Sequence, residues 1–139
     1  MQRYFLDTNI LVYSVDRSFP DKRATCQELI DRHARSGDGV LSTQVLQEFY
    51  VNATRKLGID PLVAKQHVQD FQIFDIIQVT TELIAEGIDC SILSRLSFWD
   101  GLVIATAAIG RCKILYSEDM TNGQKIRGVT ITNPFTKTA

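Results

Sequence analysis

The sequence predicts an α/β fold with three layers, α/β/α, around a mostly parallel central sheet. Three observations lead there. Short apolar segments alternate with helical patterns along the chain, the order expected of parallel strands joined by crossover helices. Several of those segments, "RYFL", "GVLS" and "CKILY", are apolar over most of their length, as strands covered on both faces are. At 139 residues with 45% hydrophobic content, the chain suits one domain, 1–139, with its own core.

Each element follows from local chemistry. "RYFL" reads as a buried strand, and "DTNILVYSVD" as a loop opening a short helix with Asp7 at the turn. "DKRATCQELIDRHARSG" sets Ala24, Leu29 and Ile30 among charges and stops at Gly37, the pattern of a surface helix. "GVLS" is the second strand. In "STQVLQEFYVNATRKLG", Val45, Leu46, Phe49, Tyr50 and Ala53 share one helical stripe, Ser42 or Thr43 caps it and Gly58 closes it. "DPLVAKQHVQDF" has Asp60 to cap and Pro61 at the first helical position. "FDIIQVT" reads as a strand. "TELIAEGIDCSILSRL" is helical, with Leu83, Ile84, Ile88 and Ile92 recurring about once per turn. "SFWDGLVIATAAIG" is nearly uncharged, so it is expected to be a central, covered helix. "CKILYS" is a strand, "EDMTNGQ" a loop, "VTIT" the last strand and "NPF" a stop, with "TKTA" expected to fray.

Composition narrows the function classes. A net charge of −1 gives no global basic field for nucleic acid, although a local basic face can sit beside an acidic pocket. Cys26, Cys90 and Cys112 lack paired spacing, which argues against a disulfide framework and a thiolate zinc site. They are expected to be small buried hydrophobes in a reducing compartment, and the chain to be cytoplasmic. No secretory leader and no apolar run long enough for a membrane is read in the sequence. His33 and His67 have no spaced partner, so a histidine zinc site is not expected either.

Four carboxylates break the apolar pattern. Asp7 follows the first strand directly, and Asp119 lies just beyond "CKILY", at strand ends where such sheets bind ligands. Glu48 borders the stripe of its helix, and Asp100 sits in the first turn of the least polar helix. Singly, each has an ordinary explanation: Asp7 as an Asx-turn or N-cap, Asp100 in a capping box with Ser97, Glu48 as a solvated border, Asp119 as a turn residue. Gathered in one cleft they would repel and raise one another's pKa values. A hard divalent cation relieves that repulsion, because Mg²⁺ takes oxygen ligands and binds through a few carboxylates plus substrate phosphate.

"FLDTNILVY", the glutamate in "VLQEFY", "LSFWDGLVIATA" and "LYSEDMTNG" resemble the four acidic motifs of PIN-domain ribonucleases. Over residues 3–135 the chain resembles bacterial toxins of the VapC type. The resemblance implies a PIN-like fold in which Asp7, Glu48, Asp100 and Asp119 form the catalytic, metal-binding centre. Thr8 and Ser117 match supporting hydroxyl positions, and Asn9 matches the asparagine that orders the first loop. Trp99 and Gly101 stand where relatives often carry tyrosine and alanine, and Asn122 stands where some have a further aspartate.

The implied activity is Mg²⁺-dependent hydrolysis of RNA phosphodiester bonds, with Mn²⁺ as a possible substitute. Asp7, Asp100 and Asp119 would hold the ion, while Glu48 would orient a second ion or the attacking water. The resemblance also implies a cognate antitoxin protein covering the acidic groove, and a homodimer. The helices at 22–35 and 43–57 offer amphipathic faces for a partner. Lys22 with Arg23, Arg55 with Lys56, Arg111 with Lys113, and Lys125 with Arg127 are candidate RNA contacts. Tyr13 is a candidate for stacking on bases, and Trp99 is expected in the core. The alternative is a catalytically silent PIN-like RNA-binding or scaffold protein. A structure-specific DNA nuclease would need insertions for which 139 residues leave little room. A phosphoacceptor domain would need a lysine after a late strand, and none follows "CKILYS".

Overall fold

A computed structural model describes residues 2–136. Six strands form one sheet in the order β3-β2-β1-β4-β6-β5: β1 (Arg3–Leu6), β2 (Gly39–Ser42), β3 (Asp75–Ile77), β4 (Cys112–Tyr116), β5 (Lys125–Ile126) and β6 (Val129–Thr132). All pairings are parallel except β5 with β6. The helices are α1 (Thr8–Tyr13), α2 (Pro20–Ser36), α3 (Thr43–Arg55), α4 (Pro61–Asp70), α5 (Thr81–Ser94) and α6 (Phe98–Ile109), with a 3-10 turn at Phe71–Ile73. This is the predicted three-layer α/β/α arrangement with a mostly parallel sheet.

The topology decides where a ligand binds. From β1 the chain builds outward through β2 and β3, then returns to place β4 on the other side of β1. The reversal falls between β1 and β4, and such a switch point opens a crevice at the carboxyl ends of the two strands. Leu6 pairs with Tyr116 at the ends of these strands, and the Asp7 amide donates to the Tyr116 carbonyl at 3.0 Å. Asp7 and Ser117 therefore leave the sheet side by side. Beneath them, Phe5, Leu6, Val40, Leu41, Leu115 and Ile131 are buried, so the strand ends rest on a rigid base.

The expected caps form. Ser42 accepts from the Val45 amide at 3.3 Å, and Asp60 accepts from the Leu62 amide at 2.9 Å. Gly37 ends α2 in the left-handed conformation, φ 71°. α2 begins one residue earlier than predicted because Pro20 takes its first position, where proline's fixed φ and missing N–H cost nothing. Residues 137–139 of the terminal "TKTA" lie outside the described residues.

Three expectations need correction. Residues 118–124 form the predicted loop, but the short strand β5 follows it and pairs with β6 through the two-residue turn Arg127-Gly128. Both turn residues have positive φ, 52° and 79°, a geometry usually signalled by Asn-Gly and here built from Arg-Gly. In α5 the buried positions are Leu83, Gly87 and Cys90, while Ile84, Ile88 and Ile92 are exposed. The face that packs is the one that lets α6 come close, not the most apolar one. Trp99 is 60% exposed and packs edge-on against Phe98 at 5.0 Å between ring centroids.

α6 is the predicted central helix, buried from Gly101 to Ala107. Its close crossing with α5 explains Gly101. A Cβ there would lie 2.7 Å from the Gly87 carbonyl oxygen and 2.8 Å from the Ser91 amide nitrogen, both backbone atoms with no freedom to rotate away. Gly101→Ala is therefore expected to destabilise the fold by about 1–3 kcal/mol, measured as a lower urea midpoint at unchanged m-value.

Candidate active site

Asp7 is the residue around which the pocket closes. It is the N-cap of α1: one carboxylate oxygen accepts from the Thr8 amide at 2.7 Å. The other accepts from the Ser117 hydroxyl at 2.8 Å and from the Asn9 amide at 3.4 Å. The capping explanation and the site explanation thus describe the same carboxylate. Thr8, whose amide is used for that cap, turns its hydroxyl to Glu48 at 3.3 Å and so ties α1 to α3.

Asn9 and Ser117 link the two strand ends. The Asn9 side-chain amide donates to Ser117 Oγ and to Asp119 Oδ2, each at 3.2 Å. Its oxygen accepts from the Glu118 amide at 3.1 Å. Ser117 Oγ also accepts from the Asp119 amide at 3.3 Å. Ser117 is fully buried and its bond to Asp7 is shielded from water, whereas the Asn9–Asp119 bond lies at the exposed edge of the network. At the far side of the pocket, Ser97 caps α6 by accepting from the Asp100 amide at 3.1 Å. This is the donor half of the expected capping box.

All four predicted carboxylates, with Thr8 and Asn9, line one pocket of about 400 Å³. Their charges act on one another around a ring: Glu48 and Asp119 on Asp7, Asp100 on Glu48, and Asp119 on Asp100. None of the four forms an ion pair with a cation among the described residues. Burial pushes the Asp7 carboxyl up to about 6, against the pull of its bonds to Ser117 and Thr8, and the Glu48 and Asp119 charges add to the rise. Glu48 and Asp100 are also raised, first by burial and then by their acidic neighbours.

The donor set suits a hard divalent cation, being all oxygen and short of positive charge. It is not a closed cage: among the described residues no group of three His, Cys, Asp or Glu side chains is placed to hold an ion alone.

Several residues around the pocket carried no assignment in the sequence reading. Gln44 and Asn52 line it together with Glu48 and with Lys56, which the sequence offers, beside Arg55, as a candidate RNA contact. Their spacing, one turn either side of Glu48 and one turn beyond, is the signal that marks them as one helix face. Trp99 forms part of the wall instead of the core. Glu118 accepts from the Tyr13 hydroxyl at 2.6 Å and from Lys22, whose ammonium lies 4.9, 5.8 and 5.1 Å from the ring centroids of Tyr13, Phe19 and Phe135. Burial acts to raise Glu118, but Lys22 and Tyr13 hold it below its ordinary range. Lys22 is thereby engaged within the protein. Asn122 faces away from the pocket, accepting from the Asn133 amide at 2.8 Å. His33 is buried against Asp38 at 2.8 Å, and the three cysteines are buried and free.

The PIN domain family matches residues 4–121, most of the chain. The chain belongs to the PIN-domain family. Solved structures share its fold at low identity. A toxin–antitoxin complex from Klebsiella pneumoniae matches at 18% identity and TM-score 0.69, over 95% of this chain and 98% of that one. The sarcin–ricin-loop-cleaving toxin VapC20 of Mycobacterium tuberculosis matches at 20% and 0.61, over 82% and 88%. A DNA-bound VapBC complex from Salmonella typhimurium matches at 16% and 0.68, over 96% and 99%. No curated protein matches significantly. No single helix among the described residues of this PIN domain is long and apolar enough to cross a membrane.

The Asp7 carboxyl fixes the sign of a pH effect. Its folded-state pKa of about 6 lies above the ordinary 3.8, so between those values the folded protein binds more protons than the unfolded chain. Metal-free stability should therefore fall as pH rises from about 4 to 6. Asp7→Asn, which keeps a capping oxygen, should remove that decline. It should also stabilise the metal-free protein at pH 7 by up to about 3 kcal/mol, measured by urea unfolding in EDTA.

Proposed function

We propose that this PIN domain is a Mg²⁺-dependent endoribonuclease and the toxin of a toxin–antitoxin pair. The observation that carries the nuclease reading is the ring of four carboxylates without a cationic partner at the sheet's switch point. Support for the toxin reading comes from the similar folds of a toxin–antitoxin complex and of an RNA-cleaving toxin.

Asp7, Asp100 and Asp119 would hold Mg²⁺, or Mn²⁺ in its place, directly or through water. Such an ion supplies charge neutralisation at the phosphate and a more acidic water. The chain's own residues do the positioning. Thr8, Asn9 and Ser117 fix Asp7 and Asp119 through the bonds described above. Glu48, made more basic by burial and held by Thr8, orients the attacking water and receives its proton. The water attacks phosphorus in line, the opposite P–O bond breaks, and the departing ribose oxygen takes a proton from solvent to leave as a hydroxyl. No side chain forms a covalent intermediate.

The partner antitoxin would seat a helix in the apolar groove between α3 and α4, walled by Tyr50, Val51, Leu62 and Val68. An arginine or lysine from it reaching the carboxylates would replace the metal's charge. The exposed Ile84, Ile88 and Ile92 stripe of α5 supports a homodimer. Buried free cysteines fit a reducing cytoplasm.

Purified protein should cleave RNA with Mg²⁺ and not with EDTA. Asp100→Asn and Asp119→Asn should each lower the rate at least about a hundredfold with the fold intact. Ser117→Ala, which loosens Asp7 without removing a ligand, should cost about 10–100-fold. Metal-independent cleavage, or full activity of either aspartate variant, would overturn the assignment.

A further inference from the structure

Beside the acidic pocket lies a larger cleft of about 820 Å³, bounded by the α1–α2 connection, α2 and the α3–α4 connection. The two spaces meet at Asp16, Lys56 and Leu57, which line both. Three cations from three parts of the chain line the cleft: Arg17 before α2, Arg23 on α2 and Lys56 at the end of α3.

Some cations of the protein are already engaged, and these three are not. Arg3, Lys22, Arg32, Arg35 and Arg127 are held in ion pairs with carboxylates. Arg17, Arg23 and Lys56 have no such pair among the described residues. Two carboxylates also line the cleft. Asp31 pairs with Arg35 at 3.2 Å, and Asp16 accepts from the Ser18 amide at 3.0 Å. The remaining balance is positive, although the whole chain carries −1. Arg23 adds a second sign: its Nε is buried with no acceptor. An unsatisfied buried guanidinium N–H is unfavourable, and a side-chain shift that opens it to a phosphate oxygen would satisfy it.

We propose that this cleft binds the sugar-phosphate backbone of single-stranded RNA beside the cleaved bond, with Arg17, Arg23 and Lys56 as its phosphate contacts. The proposal rests on the ribonuclease reading. The acidic ring repels RNA when no ion is bound, so affinity must come from positive charge nearby. The cleft supplies it where a strand leaving the ring would pass. Its volume lies near the upper end for small-ligand sites, which leaves room for a nucleotide with its flanking phosphates. The other basic residues considered from the sequence are placed less well. Lys22 is bound to Glu118 and Arg127 to Glu86. Arg111 and Lys113 lie at the amino end of β4, opposite Ser117 and Asp119.

The test is fluorescence anisotropy with a labelled twelve-nucleotide single-stranded RNA across a salt series, in an Asp100→Asn parent so that the RNA stays whole. Arg17 and Lys56 are exposed, so Arg17→Ala and Lys56→Ala should fold normally, and Arg23→Gln is added beside them. Each lost contact should flatten the slope of log affinity against log salt by about 0.7, and Arg17→Ala/Lys56→Ala by about 1.4. Lys113→Ala should match the parent. Unchanged slopes in folded cleft variants would overturn the proposal, as would equal losses in Lys113→Ala. Weakened antitoxin capture with RNA slopes unchanged would also overturn it, assigning the cleft to the protein partner. A parent that binds no RNA removes both this proposal and the ribonuclease reading; a parent that binds with slopes insensitive to the cleft removes only this one.

Discussion

Burying the Asp7 carboxylate works against folding, and the rest of the site is arranged to keep it buried. Taking a carboxylate out of water favours its protonated form, and Glu48 and Asp119 add negative charge nearby. Hydrogen bonds from Thr8 and Ser117 recover part of that loss without removing it. What results is a rigidly held carboxylate that stays partly protonated up to about pH 6. Uncompensated negative charge is a poor choice for a purely structural residue and a useful one for an ion-dependent site.

The fold supplies the convergence. β1 and β4 are neighbours only because the chain reverses direction of growth between them, so residues 7 and 117–119 meet although they are far apart in sequence. Glu48 arrives on α3, and Asp100 in the first turn of α6. α6 must approach α5 closely enough that Gly101 has no space for a side chain, immediately after Asp100. Packing far from the carboxylates is therefore continuous with their placement. The same topology sets the cleft beside the acidic pocket, with Asp16 and Lys56 bordering both. The carboxylates gather at the strand ends, and the unpaired cations of the neighbouring cleft sit on the helices and loops beside them.

Much of this was legible in the sequence because the elements are locally consistent. Apolar strands such as "GVLS", the Asp60 cap and the uncharged stretch of α6 each admit one reading, and the α3 cap narrows to Ser42 or Thr43, of which the structure uses Ser42. The four acidic positions were legible as exceptions to that pattern, and the structure brings all of them to one pocket. What escaped depended on long-range packing. The helix of α5 was legible but its packed face was not, because Gly87, with no side chain, marks that face while isoleucines stay outside. Trp99 looked like core because its size favours burial, yet its position before Asp100 turns it to the pocket rim. β5 was missed because two residues carry no periodicity and its turn uses Arg127 with positive φ. The engagement of Lys22 by Glu118 links residues 96 positions apart, and no local pattern announces it.

The central claim is that the carboxylate ring is a cation site whose charge is incomplete until the ion binds. Calorimetric titration of the metal-free protein with Mg²⁺, repeated in buffers of different ionisation enthalpy, tests it most directly. With the Asp7 carboxyl near 6, binding at pH 6 should release roughly half a proton per ion from that group, and at pH 8 almost none. Asp7→Asn should remove that group's share of the release. Mg²⁺ binding at pH 6 without proton release, or no binding at all, would contradict the account.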